Sequence, residues 1–371
     1  MTILIFIAIL VILVLVHEFG HFLAAKLFGI KVLEFGIGFP PKLASIKKGD
    51  TEYSLNLLPL GGFVRIFGEE GEEKTNPRSY ASRPAYQRAL IVANGVFFNI
   101  VFAFFIFWLG FSIGFPMALG EDVGKGEVIQ QGVQILDVVK ESPAKEAGLM
   151  RGDSIVKVQS SLTSGASVLQ RQNFKVQNDI KKVEDLQKFT KGEEDQVLTL
   201  TIKRGKEIIE KEVLARAKPP EGQGAMGVVL ADIGLVKYPV GEAFLRALEI
   251  TAKNIWFILL GIFLLLKSLF VSGKLIGEVS GPVGIAVMTG QFYALGIHYL
   301  IFFISLISIN LAVLNILPIP ALDGGRLLFI VIEKLKGSPV TQETENKVHA
   351  IGFALLIGLV LLVTIRDILQ L

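Results

Sequence analysis

The first 25 residues, MTILIFIAILVILVLVHEFGHFLAA (1–25), form an apolar run that contains one polar cluster. Its strongly polar side chains are Thr2, His17, Glu18 and His21. A helix of about 20 apolar residues is long enough to cross a bilayer. Ionisable groups at that depth are costly and are usually functional. The run therefore predicts a membrane helix that is not cleaved off as a secretion signal and that contains functional residues.

The composition of the whole chain also favours a membrane protein. Of the 371 residues, 51% are hydrophobic, and the mean hydropathy is +0.57. These values are too high for an ordinary soluble domain. The formal net charge of +3 gives no indication of a nucleic-acid partner. The chain has no cysteine, which excludes disulfides, thiolate nucleophiles and cysteine-based metal sites.

The expected fold is a polytopic α-helical membrane protein with about four transmembrane helices, a membrane-associated β hairpin or sheet, and an α+β PDZ-like domain outside the cytoplasm. The expected order is a first transmembrane helix (1–25), a β region (26–88), a second transmembrane helix (89–115), the PDZ-like domain (121–238), an interfacial or re-entrant segment (239–298), a third transmembrane helix (299–336) and a C-terminal one (345–371). The interfacial or re-entrant placement of 239–298 rests on its apolar part, Ile255–Leu266. This part has only 12 uncharged residues, about 18 Å of helix, which is short for a membrane span.

Two polar regions separate the apolar segments. Residues 26–88 contain ten Lys and Arg, which predicts a cytoplasmic location. Within them, TEYSLNLLPLGGFVRI (51–66) alternates like a β hairpin or small sheet. It is interpreted either as a folded loop or as an element that handles substrate.

The second polar region predicts an α+β domain. Strands are expected at 133–139 and 151–159, a short helix at 141–149, an amphipathic helix at 183–190, a hairpin that turns at Arg204-Gly205, and a polar insert at 161–175. The order of these elements, and SPAKEAGLMRGDSIVKV (142–158) in particular, resembles a PDZ domain. Such domains usually accept a peptide as an added edge strand.

The cluster HEFGH (17–21) fits the pattern H-E-x-x-H on a helix. The spacing of four places His17 and His21 on one face, where both imidazoles can bind one metal ion. Glu18 is placed to act as a general base on a water molecule without being a ligand. His17 lies nine residues before Lys26, about 13 Å along a helix, so a metal is expected at lipid depth.

A tetrahedral site with two histidines and a water requires one more ligand. The segment NILPIPALDGGRLL (315–328) breaks an apolar helix with prolines and glycines and contains one acid, Asp323. Broken backbone at membrane depth is tolerated where it lines a cavity. Asp323 is therefore the expected third ligand, and capping of the following helix is the alternative. For Asp323 to meet His17 near the cytoplasmic side, the chain must cross the membrane exactly once between the PDZ-like domain and Asp323.

Together these motifs resemble the site-2 protease family of intramembrane zinc metalloproteases, in its bacterial branch with PDZ domains that cuts anti-sigma factors. HEFGH matches the metal motif of that family, and NILPIPALDGG matches its distal motif. FGIGFPPKL (35–43), YSLNLLPLGGFV (53–64) and SGPVGIA (280–286) resemble further family segments. GVFFN (95–99) departs from the family's G-P-x-x-N at Val96.

The resemblance implies that His17, His21 and Asp323 bind Zn²⁺ and that Glu18 is the catalytic base. It further implies that substrate is held by Asn315 and by an edge strand at Leu60, Gly61, Gly62, Phe63 and Val64.

The expected function is hydrolysis of peptide bonds within transmembrane segments, for example of an anti-sigma factor or signal-peptide remnants, in the bacterial inner membrane. The expected partners are transmembrane-helix substrates, the lipid bilayer and peptides at the PDZ-like domain. An inactive PDZ-containing adaptor is the alternative, and an ion transporter ranks last because the chain shows no internal repeats. His298 and His349 are interpreted as packing residues at the membrane boundary.

Overall fold

Helices and two sheets make up the computed structural model, which describes residues 1–69, 71, 73–119, 123–161, 176–178, 180–191, 195–205, 207–273, 280–338 and 340–369. The helices are α1 (Thr2–Leu27), α2 (Ala85–Ile113), α3 (Pro143–Glu146), α4 (Val183–Thr190), α5 (Val240–Ser272), α6 (Pro282–Leu295), α7 (Ile297–Ile316), α8 (Asp323–Lys336) and α9 (Gln342–Leu369). The strands are β1 (Val32–Lys48), β2 (Thr51–Ile66), β3 (Phe115–Ala118), β4 (Glu127–Val138), β5 (Ser154–Ser161), β6 (Val176–Asn178), β7 (Val197–Arg204), β8 (Glu207–Leu214) and β9 (Val228–Lys237). The chain divides into a first unit (1–107, 247–290 and 303–371) and a second unit (108–246 and 291–302).

Within the described part of the chain, five helices are long and apolar enough to cross a membrane, namely α1, α2, α5, α7 and α9. The protein is therefore a multi-pass membrane protein. The prediction that Ile255–Leu266 is too short to span is wrong, because this segment lies inside α5, which has 33 residues. A count of apolar residues stops at Asn254 and Lys267, whereas the helical hydrogen bonds continue through them. The interfacial or re-entrant placement of 239–298 stays a prediction.

The segments that flank α5 and α6 both bind at the C-terminal end of α2. Before α5, the Tyr238 backbone N–H donates to the carbonyl of Phe111 at 2.9 Å. After α6, His298 Nδ1 donates to the carbonyl of Gly114 at 2.7 Å. Phe111 lies in the last turn of α2, and Gly114 follows directly after this helix. The start of α5 and the start of α7 thus both lie at the C-terminal end of α2.

From that end, α7 runs antiparallel to α2. The Ser308 hydroxyl donates to the carbonyl of Asn99 at 2.8 Å, ten residues further along α7 and about four turns back along α2. α1 is antiparallel to α2 as well, because Asn94 Nδ2 donates to the carbonyl of Gly20 at 3.1 Å. α1 and α7 therefore point the same way, so their C-terminal ends can share a site.

The sheet of the first unit places a free edge beside α1. Residues 32–37 of β1 lie between two segments of β2: Glu34 pairs with Arg65 and Glu52, and Ile37 pairs with Gly62 and Leu55. The rest of β1 pairs with the start of β2 around the turn at Gly49 (φ 63°). The expected hairpin or small sheet at 51–66 is confirmed. Among the described residues, Gly62–Ile66 has a strand on one side only.

The second unit contains a seven-stranded sheet in the order β3-β9-β4-β5-β7-β8, with β6 paired to β5. The predicted strands at 133–139 and 151–159, the helix at 183–190 and the hairpin that turns at Arg204-Gly205 are confirmed. Most of the polar insert expected at 161–175 lies outside the described residues. Among the residues that the structure describes, the core of this unit contains fifteen buried side chains, including Ile135, Leu186 and Leu200. Its identity as a PDZ domain stays a prediction.

The short helix predicted at 141–149 is confirmed at α3. The Ser142 hydroxyl accepts from the Lys145 N–H at 3.3 Å, and Pro143 occupies the first turn, where no donor is needed. Beyond the helix, Gly148 takes a φ of +72° and its carbonyl accepts from Arg204. Arg204 also binds Asp153 with two hydrogen bonds, at 2.7 and 2.8 Å.

Asp153 is 1% exposed, so the guanidinium of Arg204 rather than water stabilises its negative charge. We expect Arg204→Met to lower the free energy of unfolding by about 3 kcal/mol, because removal of one partner leaves a buried charge unpaired. Arg151→Met is the matched control: its pair with Asp137 is exposed, and its loss should cost less than about 1 kcal/mol. Thermal unfolding of the full chain in detergent measures both, and equal losses would contradict the prediction.

Candidate metal centre

The two histidines of HEFGH lie on the buried face of α1. His17 is 7% exposed and His21 is 8% exposed. Their Nε2 atoms are 3.2 Å apart, as expected for side chains one helical turn from each other that point at a common centre. The motif therefore forms the local geometry that its spacing predicts.

The third group comes from the turn between α7 and α8. α7 ends at Ile316, and the prolines at 318 and 320 cannot continue its hydrogen bonds. α8 then begins at Asp323 itself. Gly324 has no room for a side chain, because a Cβ there would lie 2.0 Å from the carbonyl oxygen of Leu317. This close approach folds the turn against the start of α8.

Asp323 meets both imidazoles. Its Oδ2 lies 2.9 Å from His17 Nε2 and 3.3 Å from His21 Nε2. Tetrahedral zinc with bonds of 2.0–2.2 Å places its ligand atoms about 3.3–3.6 Å apart. The three atoms thus have nearly the spacing of three corners of a zinc tetrahedron. The other His, Asp and Glu residues of the described chain form no comparable group of three.

The hydrogen bonding of these side chains also fits a cation. Among the described residues, Asp323 Oδ2 is buried and has no hydrogen-bond donor. His21 Nδ1 donates to the carbonyl of Ile91 at 2.9 Å, which leaves Nε2 unprotonated and directed at the centre. A buried carboxylate oxygen beside two ring nitrogens is the donor set that Zn²⁺ prefers, so the residues fit the metal.

Gly95 of α2 makes space for the imidazoles. A Cβ at this position would lie 2.4 Å from His21 Nε2 and 2.8 Å from His17 Cε1. Gly20 of α1 lets the backbone of α2 approach, since a Cβ at Gly20 would lie 2.3 Å from the Asn94 carbonyl oxygen. The two helices therefore approach more closely here than helices with side chains could. Val96, where the family pattern has proline, lies next to Gly95 and is buried.

Glu18 lies beside this group and contacts the sheet. Its Oε2 accepts a hydrogen bond from the Val64 N–H at 3.0 Å. Val64 belongs to the segment of β2 that has a free edge, so the carboxylate and that edge face each other. Phe63, Val64, Glu18, His21 and Asp323 line one cavity of about 990 Å³.

The remaining predicted residues lie at different distances from the centre. Asn315 Nδ2 is 3.5 Å from His17 Nε2, at the end of α7. Gly61 and Gly62 are buried beside α1, where a Cβ at Gly61 would lie 3.5 Å from Val14 and one at Gly62 3.0 Å from Leu15. Leu60 lies on β2, and its side chain is outside the described structure.

Comparison with known proteins identifies the family. The model of peptidase family M50 matches residues 5–359. The chain belongs to peptidase family M50. It is 35% identical over 363 residues to a Clostridium perfringens protein named "Putative zinc metalloprotease", covering 96% of this chain and 95% of the relative. It is 34% identical to a protein of the same description from Nostoc sp., covering 100% and 97%. It is 30% identical to the zinc metalloprotease RasP of Shouchella clausii, covering 99% and 98%.

The M50 peptidase is thus a metalloprotease, as the sequence predicts, and the ligand set is consistent with zinc as its cofactor. The alternative of an inactive adaptor has no support from the family or from the site. The predicted roles of the individual site residues stay predictions.

Sequence reasoning missed three contributors to the site. The Ile91 carbonyl orients His21, Gly95 provides space, and the Val64 N–H binds Glu18. The first and third are backbone groups, which no side-chain motif reveals. Gly95 carried a weak signal, because glycine inside an apolar helix often marks a close approach.

Gly95→Ala tests the fit of α2 against the imidazoles. We expect it to lower zinc affinity at least about tenfold, because the new methyl group would displace the ring of His21. Gly261→Ala on α5 is the matched control, since no heavy atom lies within 4 Å of the added Cβ. Zinc retained per chain after dialysis against graded chelator measures the effect. Equal retention in both variants would contradict it.

Proposed function

We propose that this M50 peptidase hydrolyses peptide bonds within membrane-spanning segments of its substrates. One observation carries the proposal: the His17, His21 and Asp323 ligand atoms converge on α1, a helix with the length and composition of a membrane span. Lys26 follows His17 by nine residues, so the centre lies about 13 Å inside the basic end of that helix. A soluble peptide chain has no access to such a depth.

A substrate helix must unwind before it is cut, because its carbonyls are bonded within the helix. The free edge of Gly62–Ile66 offers replacement hydrogen bonds to an extended segment. Val64 at this edge contacts Glu18, so a strand bound there would lie next to the proposed base. Glu18 would then exchange its contact with Val64 for one with the reacting water.

The proposed mechanism assigns each group a task. Zinc, when held by His17, His21 and Asp323, supplies Lewis acidity that polarises a carbonyl and makes a water molecule more acidic. Glu18 takes a proton from the attacking water and delivers it to the amide nitrogen that leaves. Asn315 Nδ2, 3.5 Å from His17, donates to the substrate backbone and fixes its position. The cavity of about 990 Å³ supplies the water.

The sheet of the second unit acts as a filter in this proposal. The ten basic residues of 26–88 assign the start of this region to the cytoplasmic side of the bacterial membrane, so the domain at 121–238 lies on the other side. Its PDZ-like order of elements supports recognition of a peptide or of the size of a substrate's outer part. Anti-sigma factors and signal-peptide remnants are substrates of the expected kind.

Two substitutions separate catalysis from metal binding. Glu18→Gln should retain about one zinc per chain and abolish cleavage of a co-expressed membrane substrate, because the amide cannot accept the proton. Asp323→Asn should lose both zinc and cleavage. Metal analysis and immunoblots of substrate fragments measure these outcomes. Persistent cleavage by Glu18→Gln would contradict the role of base, and full zinc content in Asp323→Asn would contradict the ligand.

The cysteine-free chain permits a direct test of edge pairing. In the Glu18→Gln background, Phe63→Cys should form disulfides with substrates that carry single cysteines along the cleaved segment. Yields should peak at every second substrate position, because the side chains of a paired strand alternate. Lys47→Cys, exposed on the opposite edge of the same sheet, is the control and should give low yields without a pattern. A period of three to four at residue 63 would show a bound helix and contradict the proposal.

A further inference from the structure

The turn that carries Asp323 has an unusual backbone at Ala321. This residue has a φ of 79°, in the left-handed region that residues with a Cβ rarely adopt. Such a conformation costs free energy and persists where neighbouring groups hold it. Ala321 lies two residues before Asp323, so its backbone sets the direction of the chain into the ligand.

α9 holds this turn from one side. The Ala321 N–H donates to His349 Nδ1 at 2.8 Å. One turn further along α9, Gly352 lies directly on Pro320, where a Cβ would be 2.5 Å from the proline Cβ and 2.7 Å from its carbonyl oxygen. The ring of His349 also lies 5.5 Å from the ring of Phe329 on α8. The imidazole thus touches both sides of the turn.

The hydrogen bond fixes the state of the imidazole. Because Nδ1 accepts a hydrogen bond from the backbone N–H, it carries no proton of its own, so this histidine is neutral and its proton is on Nε2. Nε2 faces the Glu345 carboxylate at 4.0 Å. In the described part of α9, the buried residues are Gly352 and Asp367. The bond from the Ala321 N–H is thus a specific polar contact between α9 and the turn, beside the packing of Gly352 on Pro320.

We propose that His349 is a positioning residue of the metal centre: it holds the Ala321 N–H so that Asp323 presents its carboxylate to His17 and His21. The inference rests on the proposed role of these three residues as metal ligands. It gives a task to a histidine that the sequence predicted to be a packing residue. A shift of the turn by a few tenths of an ångström would change the two Asp323–imidazole distances, 2.9 and 3.3 Å, on which affinity depends.

Two substitutions separate positioning from packing. His349→Leu keeps apolar volume but removes the acceptor. His349→Asn loses volume but keeps an acceptor, because the amide oxygen lies near the position of Nδ1. The purified full chain would be loaded with zinc and titrated with a chelator, and the cobalt-substituted protein would give the visible absorption of the metal. His298→Leu is the control: its imidazole bonds the Gly114 carbonyl, away from the ligands.

We expect His349→Leu to bind zinc about tenfold or more weakly and to shift the cobalt spectrum, with His349→Asn restoring most of both. His298→Leu should match the wild-type protein. Wild-type affinity and spectrum in His349→Leu would overturn the inference, and so would equal losses in the leucine and asparagine variants, which would indicate packing. Neither readout uses proteolysis. A wild-type chain that binds no zinc would instead refute the metal site on which the proposed function depends.

Discussion

The close approach of Asp323 to two imidazoles is the constraint on which the rest of the first unit depends. Oδ2 of this carboxylate lies 2.9 Å from His17 and 3.3 Å from His21, and no hydrogen-bond donor reaches it among the described residues. A buried carboxylate without a donor or a cation is strongly unfavourable. A divalent cation satisfies all three groups at once, which explains why residues about 300 positions apart in the sequence converge.

Several backbone positions serve this convergence. Gly20 and Gly95 bring α1 and α2 together, and Gly324 and Gly352 fold the turn before α8 against its neighbours. At each, a methyl group would lie within 2.6 Å of another atom. Packed interiors do not absorb such overlaps without shifts of backbone. The convergence of His17, His21 and Asp323 thus depends on these glycines as well as on the three side chains themselves.

The contact between Glu18 and Val64 joins the chemistry to the sheet. The same carboxylate that lies beside the ligands accepts a hydrogen bond from the strand edge at 3.0 Å. An extended peptide added at that edge would therefore lie within reach of the base and the metal together. In the proposed mechanism, the strand edge that holds the unwound substrate and the group that cleaves it are therefore in direct contact. Both groups line the same cavity of about 990 Å³.

The sequence by itself predicted that the two histidines, the glutamate between them and Asp323 belong to one site, and the structure brings Asp323 to both imidazoles. This prediction follows from helical spacing, from the cost of charges in apolar segments and from coordination number, all of which are local or chemical rules. The sequence also predicted the strands β4, β5, β7 and β8 and the helices α3 and α4 of the second unit, where periodicity and turn residues agree. Only the tertiary structure decided the extent of α5 and the backbone partners of His349, His21 and Glu18. Helical hydrogen bonds pass through charged residues at which a count of apolar residues stops. Backbone groups have no identity in the sequence, so contacts such as Ala321 with His349 appear only when distant segments are packed together.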